Sequence, residues 1–514
     1  MFNNLKDYKI TNKKFFGIKN PVWWLQEGPM IFGLCYGWIK GYAETSKYYD
    51  KDYKILIVPF KNDYGWQVLE KRKSIDLARN VHLKYFKNSS YIQERINKWK
   101  KYRQKLIKIC NQIKNKRINN LSGEGLWTLY NKFMLAYIDE FAPALIIEAF
   151  EPYTTDTFIK QISHRDSEIF HELSILQQPL VKSFMVNQRI DFLKICLEIF
   201  KNQRSISCFK KNKINIDKIS KNFPTIHKKI IKHSNDFFWL KNNYKDIYFL
   251  GPDYFLNLIK KEIKAKSREQ IKNELKKLQL GPLELKKKKN GIIQKLKLNN
   301  KIVLTYKLLE ELSQWQDERK RMTLIAGFYL NLFLKRIAQV KKLPLAIVQY
   351  LHPAEIKNLL IENKLIDKKI IKERRRLSVW VGINNKEFWV TGKQAKKIQK
   401  IIFKNKTISQ KSITGIPASP GTVMGKARIV LDPKKDKFYK DEILITSMTR
   451  PEYLPLMRKA KAIVTNEGGI TCHAAVVSRE FGIPCVVGTK IATRKIKNGD
   501  EIEVRAHRGI ITKL

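Results

Sequence analysis

Acidic residues, glycine and cysteine are the scarce components of this 514-residue chain. The six cysteines (Cys35, Cys110, Cys196, Cys208, Cys472 and Cys485) include no CxxC pair, which argues against a zinc ribbon or a dithiol redox motif. They are expected as free thiols, and no metal site is read from them. Only 23 glycines occur, and none belongs to a phosphate-cradling glycine-rich loop or a P-loop, so a nucleotide-binding module is not expected within these residues. The longest nearly continuous apolar run, Met322 to Leu334, is too short to cross a bilayer. The start, Met1 to Lys14, lacks the apolar segment of a secretory signal, so a cytoplasmic location is expected. Scarcity of acid against 101 Lys+Arg leaves a net charge of +54. That charge divides as +9 over residues 411–514 and +45 over the other 410, a similar density in both. A nucleic-acid footprint is concentrated, whereas this charge is spread, and lysine, isoleucine and asparagine are abundant together, as coding from an AT-rich genome gives. Nucleic acid and membrane are therefore not expected partners, while phosphorylated substrates suit the positive field.

Hydrophobic residues make up 43% of the chain, enough to build several cored domains. Residues 1–80 are expected as a small mixed α/β region, with strands at Tyr53–Phe60 and Gly65–Leu69 around an Asn62-Asp63 turn. Residues 81–403 are expected to be mainly helical. Helical spacing is visible over Tyr91–Ile118, Leu126–Phe150 with a break near Pro143, Ile190–Lys201, Tyr306–Lys341 and Lys393–Phe403. Asn290-Gly291, inside Leu285–Leu304, signals a hairpin, and Arg374–Val390 a second one turning at Ile383-Asn384-Asn385. Residues 404–412 are the expected linker. Beyond Ile413, Gly and Pro become frequent and the strands short and β-branched, marking a separate domain over 413–514. The expected class is multidomain α+β, a mainly helical N-terminal and central region followed by a C-terminal β/β/α domain.

Chemistry concentrates in Ala462-Ile463-Val464-Thr465-Asn466-Glu467-Gly468-Gly469-Ile470-Thr471-Cys472-His473-Ala474-Ala475. A buried strand runs into two glycines that permit a sharp turn. Thr471 is the expected N-cap of a helix that Gly482 and Pro484 stop. His473 then lies in the first turn, where free N–H groups and the helix dipole favour a phosphate dianion and disfavour imidazolium. A neutral imidazole in that position suits a phosphoryl acceptor, with Thr471 a candidate to orient the ring. The other seven histidines are expected to be structural. Arg479, one helix face further on, is either a further functional group or a surface partner, and Cys472 either a reactive thiol or a space-filler.

This wording resembles the phosphohistidine signature of the PEP-utilising enzymes: phosphoenolpyruvate synthase, pyruvate phosphate dikinase and rifampicin phosphotransferase. The Thr-Cys-His-Ala-Ala stretch lies nearest the synthase, and Cys472 stands where the dikinase has serine. Gly415-Ile416-Pro417-Ala418-Ser419-Pro420-Gly421, Met448-Thr449-Arg450-Pro451-Glu452 and Gly482-Ile483-Pro484-Cys485-Val486-Val487-Gly488 resemble the family's flanking segments in the same order. The resemblance implies a swivelling phosphohistidine domain that moves on the linker, and a phosphotransferase with His473 as the phosphorylated residue. Gly468, Gly469, Thr471, Cys472 and Arg479 would support it. ATP or PEP with Mg2+ is implied as donor by the resemblance alone. Since neither a nucleotide loop upstream nor a PEP-binding barrel after residue 514 is seen, the expected partners are a separate ATP-grasp nucleotide-binding subunit and a small-molecule acceptor. A second resemblance, to the helical substrate-binding region of rifampicin phosphotransferase, rests on Trp315-Gln316-Asp317-Glu318-Arg319-Lys320-Arg321, Tyr350-Leu351-His352-Pro353-Ala354-Glu355-Ile356 and Arg374-Arg375-Arg376. It implies Arg319, Arg321 and Arg375 as binding residues for an anionic substrate. Pyruvate, an antibiotic-like alcohol and a glucan all stay open as acceptors. The competing reading is a catalytically inactive binding or regulatory relative.

Overall fold

A computed structural model describes residues 22–51, 53, 55–114, 117–154, 167–210, 215–383, 386–403, 412–433, 435–469 and 472–514. Two sheets organise them. The first is antiparallel, in the order Trp23–Pro29, Tyr64–Glu70, Ile55–Lys61, Ser378–Ile383, Lys386–Thr391. Asn62 and Asp63 both adopt positive φ, 50° and 65°, which matches the twist of a two-residue hairpin turn. Side chains alternate across this sheet. Ile55, Ile57, Val68, Val379 and Val381 face the helix Gly392–Phe403. Leu56, Val58, Phe60, Leu69 and Trp380 enter the main core. Ile57 pairs with Val381, so residues up to 80 form no sheet of their own. The expected division at residue 80 is replaced by one core running from Met30 to Trp380.

The body around this sheet is helical. Its axis is the 41-residue helix Asn300–Val340, whose Asn299 side chain accepts from the Ile302 amide at 3.0 Å. Leu308, Leu312, Trp315, Met322, Leu330 and Phe333 bury its apolar side against helices Tyr91–Lys114 and Gly123–Phe141. Pro143 separates Gly123–Phe141 from Ile146–Thr154, as expected from its missing N–H. Two hairpin expectations change. Asn290-Gly291 lies inside the helix Arg268–Lys295. Flanking lysines and Leu, Glu and Gln favour helix, the exposed glycine costs only about 1 kcal/mol, and Lys289 is anchored on Glu310 at 2.5 Å. Arg374 to Arg376 close the helix Lys368–Arg376, and the hairpin begins only at Ser378. Its turn, Asn384-Asn385, lies outside the described residues, as do 404–411 of the expected linker.

The second sheet uses residues 412–513 in the order Ser412–Thr414, Ile510–Lys513, Glu501–Arg505, Thr422–Ile429, Ile443–Thr446, Ala462–Thr465, Cys485–Val487, Ile416–Ser419. Ala462–Thr465 runs parallel to both neighbours. Its Ile463, with Leu444, Cys485 and Val487, packs beneath the helix His473–Phe481. Ala462 and Val464 face the opposite core with Ile502, Val504 and Ile511. The protein is thus multidomain α+β, helical first and strand-rich last. Among the described residues no helix is long and apolar enough to cross a membrane.

Candidate active site

The strand Ala462–Thr465 ends at the edge of its sheet facing the helical body, and the loop after it is fixed by main-chain bonds to the neighbouring loop. The Asn466 amide donates to Thr446 O at 3.0 Å and the Glu467 amide to Ser447 O at 2.8 Å. Gly468 sits at φ +109°, and a Cβ there would stand 2.6 Å from Cys472 Sγ. Only glycine lets the loop fold back this closely. The Cys472 amide then donates to Gly469 O at 3.0 Å, and Cys472, in extended conformation, precedes the first helical residue, His473. Cys472 is therefore the N-cap in place of Thr471, which lies outside the described residues. Its side chain makes no cap bond to the first-turn amides. Gly482, at φ +66°, closes the helix.

The ring of His473 is oriented by Thr449, whose Oγ1 lies 2.8 Å from Nδ1. The expected orienting residue was Thr471; Thr449 belongs to the Met448–Glu452 segment already visible as a flanking motif. Nε2 is buried and has no hydrogen-bond partner among the described residues. Burial first, and then the Lys320 and Arg450 cations, hold the imidazole well below its ordinary pKa, so it is neutral at neutral pH. A proton on Nδ1, donated to Thr449 Oγ1, would leave the lone pair on Nε2.

His473 lines a cavity of about 380 Å³ between the C-terminal domain and the helical body. The long helix supplies Asp317, Arg319 and Lys320 to its wall. No carboxylate lies within ion-pair distance of Lys320 among the described residues, and burial followed by the Arg450 charge pulls its ammonium down to about 8. Burial likewise pushes the Asp317 carboxyl up to about 7, although it accepts the Phe184 amide at 2.8 Å. Arg319 lines the cavity and is paired with the buried Glu148. Arg450 is held beside Glu452 at 3.8 Å and over the Tyr244 ring.

Other residues expected at the site lie elsewhere. Arg321 does not line the cavity but is paired at 2.8 Å with Glu318, which does, and Arg375 is paired with Asp63 at 2.8 Å, away from it. Arg479 donates to Ala418 O at 3.0 Å and lines a different cleft, beside Ser419 and Gly482. His82, His233 and His352 are buried on side-chain or helix-capping partners: His82 meets Tyr153 Oη and Thr305 Oγ1, His233 meets Asp191, and His352 accepts from the Ala354 amide. Lys320 and Asp317 were not singled out by sequence, since every residue from Asp317 to Arg321 is charged. Among the described residues no three His, Cys, Asp or Glu side chains cluster closely enough to hold a metal ion.

A neutral histidine at a helix start, cradled by a glycine turn and acted on by the Lys320 and Arg450 charges, thus lines the cavity between the C-terminal domain and the helical body. Residues 438–509 of the C-terminal domain match the family of the PEP-utilising enzyme, mobile domain. Among curated proteins, the chain is 43% identical over 153 residues to a probable phosphoenolpyruvate synthase of Staphylothermus marinus, covering 28% of this chain and 17% of that protein. It is 50% identical over 102 residues to the phosphoenolpyruvate synthase of Pyrococcus furiosus, covering 20% and 12%. It is 52% identical over 98 residues to that of Aquifex aeolicus, covering 19% and 11%. The chain thus spans less than a fifth of the length of these relatives.

Proposed function

We propose that this chain is a phosphotransferase that carries a phosphoryl group on His473, taking it from ATP or PEP and passing it to an acceptor oxygen in the interdomain cavity. The observation that carries the reading is the buried, unpartnered Nε2 of a neutral His473 opposite Lys320. In the first step the Nε2 lone pair attacks the donor's phosphorus. The P–N bond forms, the P–O bond to the leaving group breaks, and the leaving oxygen keeps that electron pair. Nδ1 retains its proton against Thr449 Oγ1. Lys320 and the amides at the helix start balance the charge on the phosphoryl oxygens. In the second step the acceptor oxygen attacks phosphorus, the P–N pair returns to Nε2, and the acceptor's proton leaves to Asp317, which burial tunes to about 7. Where Mg2+ accompanies the donor, it would shield phosphate charge; Lys320 and the amides are the groups this chain itself offers.

The relatives' name supports the phosphoryl-carrier reading, and the short coverage leaves the donor site to be located, with a separate nucleotide-binding chain as the partner we favour. The test is incubation of purified protein with ³²P-labelled ATP or PEP, alone and with cell extract, followed by mapping of acid-labile phosphate. Label on His473, lost in His473→Ala with unchanged circular dichroism, is the expected result. Labelling only with extract places the donor site on a partner. Equal labelling of His473→Ala overturns the proposal, and no label under any condition favours the inactive binding relative.

A further inference from the structure

The cavity at His473 shares a wall with a second space. A cleft of about 490 Å³ lies between the helical body and the C-terminal domain, and Pro179, Val181, Lys182, Ser183 and Val476 line both it and the cavity. Val476 lies one turn beyond His473 on the same helix. The other four belong to residues 177–183, a strap without regular secondary structure that joins the helices Ser167–Leu176 and Phe184–Ile199. The partition is therefore a single stretch of chain set against one valine. The cleft is open to solvent, since Lys277, Glu284 and Lys288 on its wall are exposed.

The strap is held at two points. The Leu180 amide donates to Glu310 Oε1 at 3.0 Å, and the Phe184 amide, just past the strap, to Asp317 Oδ2 at 2.8 Å. Glu310 and Asp317 stand two turns apart on one face of Asn300–Val340, about 10 Å along its axis. Lys289 fixes Glu310 from the other side at 2.5 Å. Between these pegs the Val181 and Lys182 amides donate to no main-chain carbonyl among the described residues, and Val181 is 52% exposed. A segment with fixed ends, few main-chain bonds and an exposed centre opens locally at small cost. Charge around the cleft is uneven, with Lys182, Lys277, Lys288 and Arg479 against Glu284 and Glu480. Low-dielectric walls focus such a field, so the cleft gathers anions.

We propose that residues 177–183 form a gate, and that the outer cleft is the vestibule through which an anionic acceptor enters the His473 cavity. The strap swings between its two pegs, and Val181 parts from Val476 while both ends stay bonded. That the entering solute is the acceptor rests on the phosphoryl-carrier reading; the route itself does not. The gate is complete only while the C-terminal domain is docked, because Val476 is its other half. Gln93 and Lys100 mark another exposed side of the cavity, and a solute entering there would bypass the strap.

Cys472 lines the cavity and not the cleft, so its modification reports entry. Cys208, the other partly exposed thiol, is replaced by serine. The full chain is then treated with anionic sulfonatoethyl methanethiosulfonate or cationic trimethylammonioethyl methanethiosulfonate, and modification of Cys472 is timed by intact mass. The anionic reagent is expected to react faster. Val181→Trp, which bridges to Val476, should slow both reagents about tenfold with an unchanged melting temperature. Lys277→Glu combined with Lys288→Glu alters the cleft alone, and should slow the anionic reagent about tenfold relative to the cationic one. Lys100→Glu, on the cavity alone, should change that ratio less. If Val181→Trp lowers the melting temperature, the charge variants decide. Modification that a stable Val181→Trp does not slow, or a ratio that follows Lys100→Glu and not the double variant, would overturn the gate. So would a Cys472 that stays unmodified both with the native strap and in Val181→Gly; modification in Val181→Gly alone would support it. If His473 labels with phosphate but the reagents ignore the strap, the route falls and the carrier reading stands. If the reagents follow the strap and His473 never labels, the reverse holds.

Discussion

The C-terminal domain and the helical body wall the same cavity, but they bring their side chains there by different routes. In the C-terminal domain, Thr449, Gly468, Cys472 and His473 come from two adjacent loops at the ends of parallel strands, locked together by the Asn466 and Glu467 amides. Geometry there is set over a few residues by a glycine turn and a helix start. In the helical body, Trp38, Trp99, Phe141 and Lys320 come from four different helices and meet only because the core packs. The first region contributes His473 and the Arg450 charge; the second contributes the Lys320 charge and most of the aromatic wall. The chemistry of such a site can therefore be kept by a short segment while its selectivity is rebuilt by changes spread over hundreds of residues.

The comparison is sharpened most by removing Lys320, the helical-body cation that acts on His473. Lys320→Met is expected to slow His473 labelling by about 100-fold, the order seen when a single preorganised stabiliser of developing charge is lost. Lys320→Arg should recover part of the rate. The same lysine gives a pH signature. Its ammonium, pulled down to about 8, loses charge as pH rises through that value, whereas His473 stays neutral until pH falls well below the ordinary imidazole range. Labelling should therefore be flat from pH 6 to 7 and fall above about 8. That alkaline limb should be absent in Lys320→Met and displaced upward in Lys320→Arg. A limb that survives in Lys320→Met would assign it to another group.

A smaller effect is expected inside the C-terminal domain. Thr449→Val removes the partner of Nδ1 while preserving volume. Labelling should fall about five- to tenfold, the worth of one neutral hydrogen bond, with little change in melting temperature. A loss as large as that of Lys320→Met would mean that the threonine does more than hold the ring.

The same contrast explains what sequence could and could not disclose. The strand, the glycine turn, the helix stopped by Gly482 and the position of His473 within the first turn all follow from local preferences, and all can be read in order. The N-cap shifts by one residue because Thr471 looks the better capping side chain, yet Cys472 takes the extended conformation without any side-chain bond. In the helical body the signals are periodic rather than positional. The run Asp317 to Arg321 announces a charged helix, but only the packed structure tells that Arg319 and Lys320 enter the cavity while Arg321 turns to Glu318. Asn290-Gly291 misleads for the same reason: a turn-forming pair on an exposed helix face is outweighed by the helix formers around it. The first sheet could not be assembled from sequence, because Ile55–Lys61 pairs with Ser378–Ile383, more than three hundred residues further on.

The smallest expected effect concerns stability and tests whether the helical body has room for another charge. Glu140 is fully buried; Trp99 Nε1 donates to Oε1 at 2.8 Å, and Oε2 has no partner among the described residues. Burial pushes its carboxyl up to about 8, against the opposing pull of the Trp99 hydrogen bond and of Arg319 and Arg103. A folded-state value above the unfolded one means that stability is fully present below about pH 4.5 and is lost progressively as pH rises through about 8. The slope is at most about 1.4 kcal/mol per pH unit, because a single proton is involved. Glu140→Gln should remove this slope, so the difference in melting temperature between variant and wild type should grow in the variant's favour from pH 5 to pH 8. A constant difference would mean that Glu140 is already ionised in the fold.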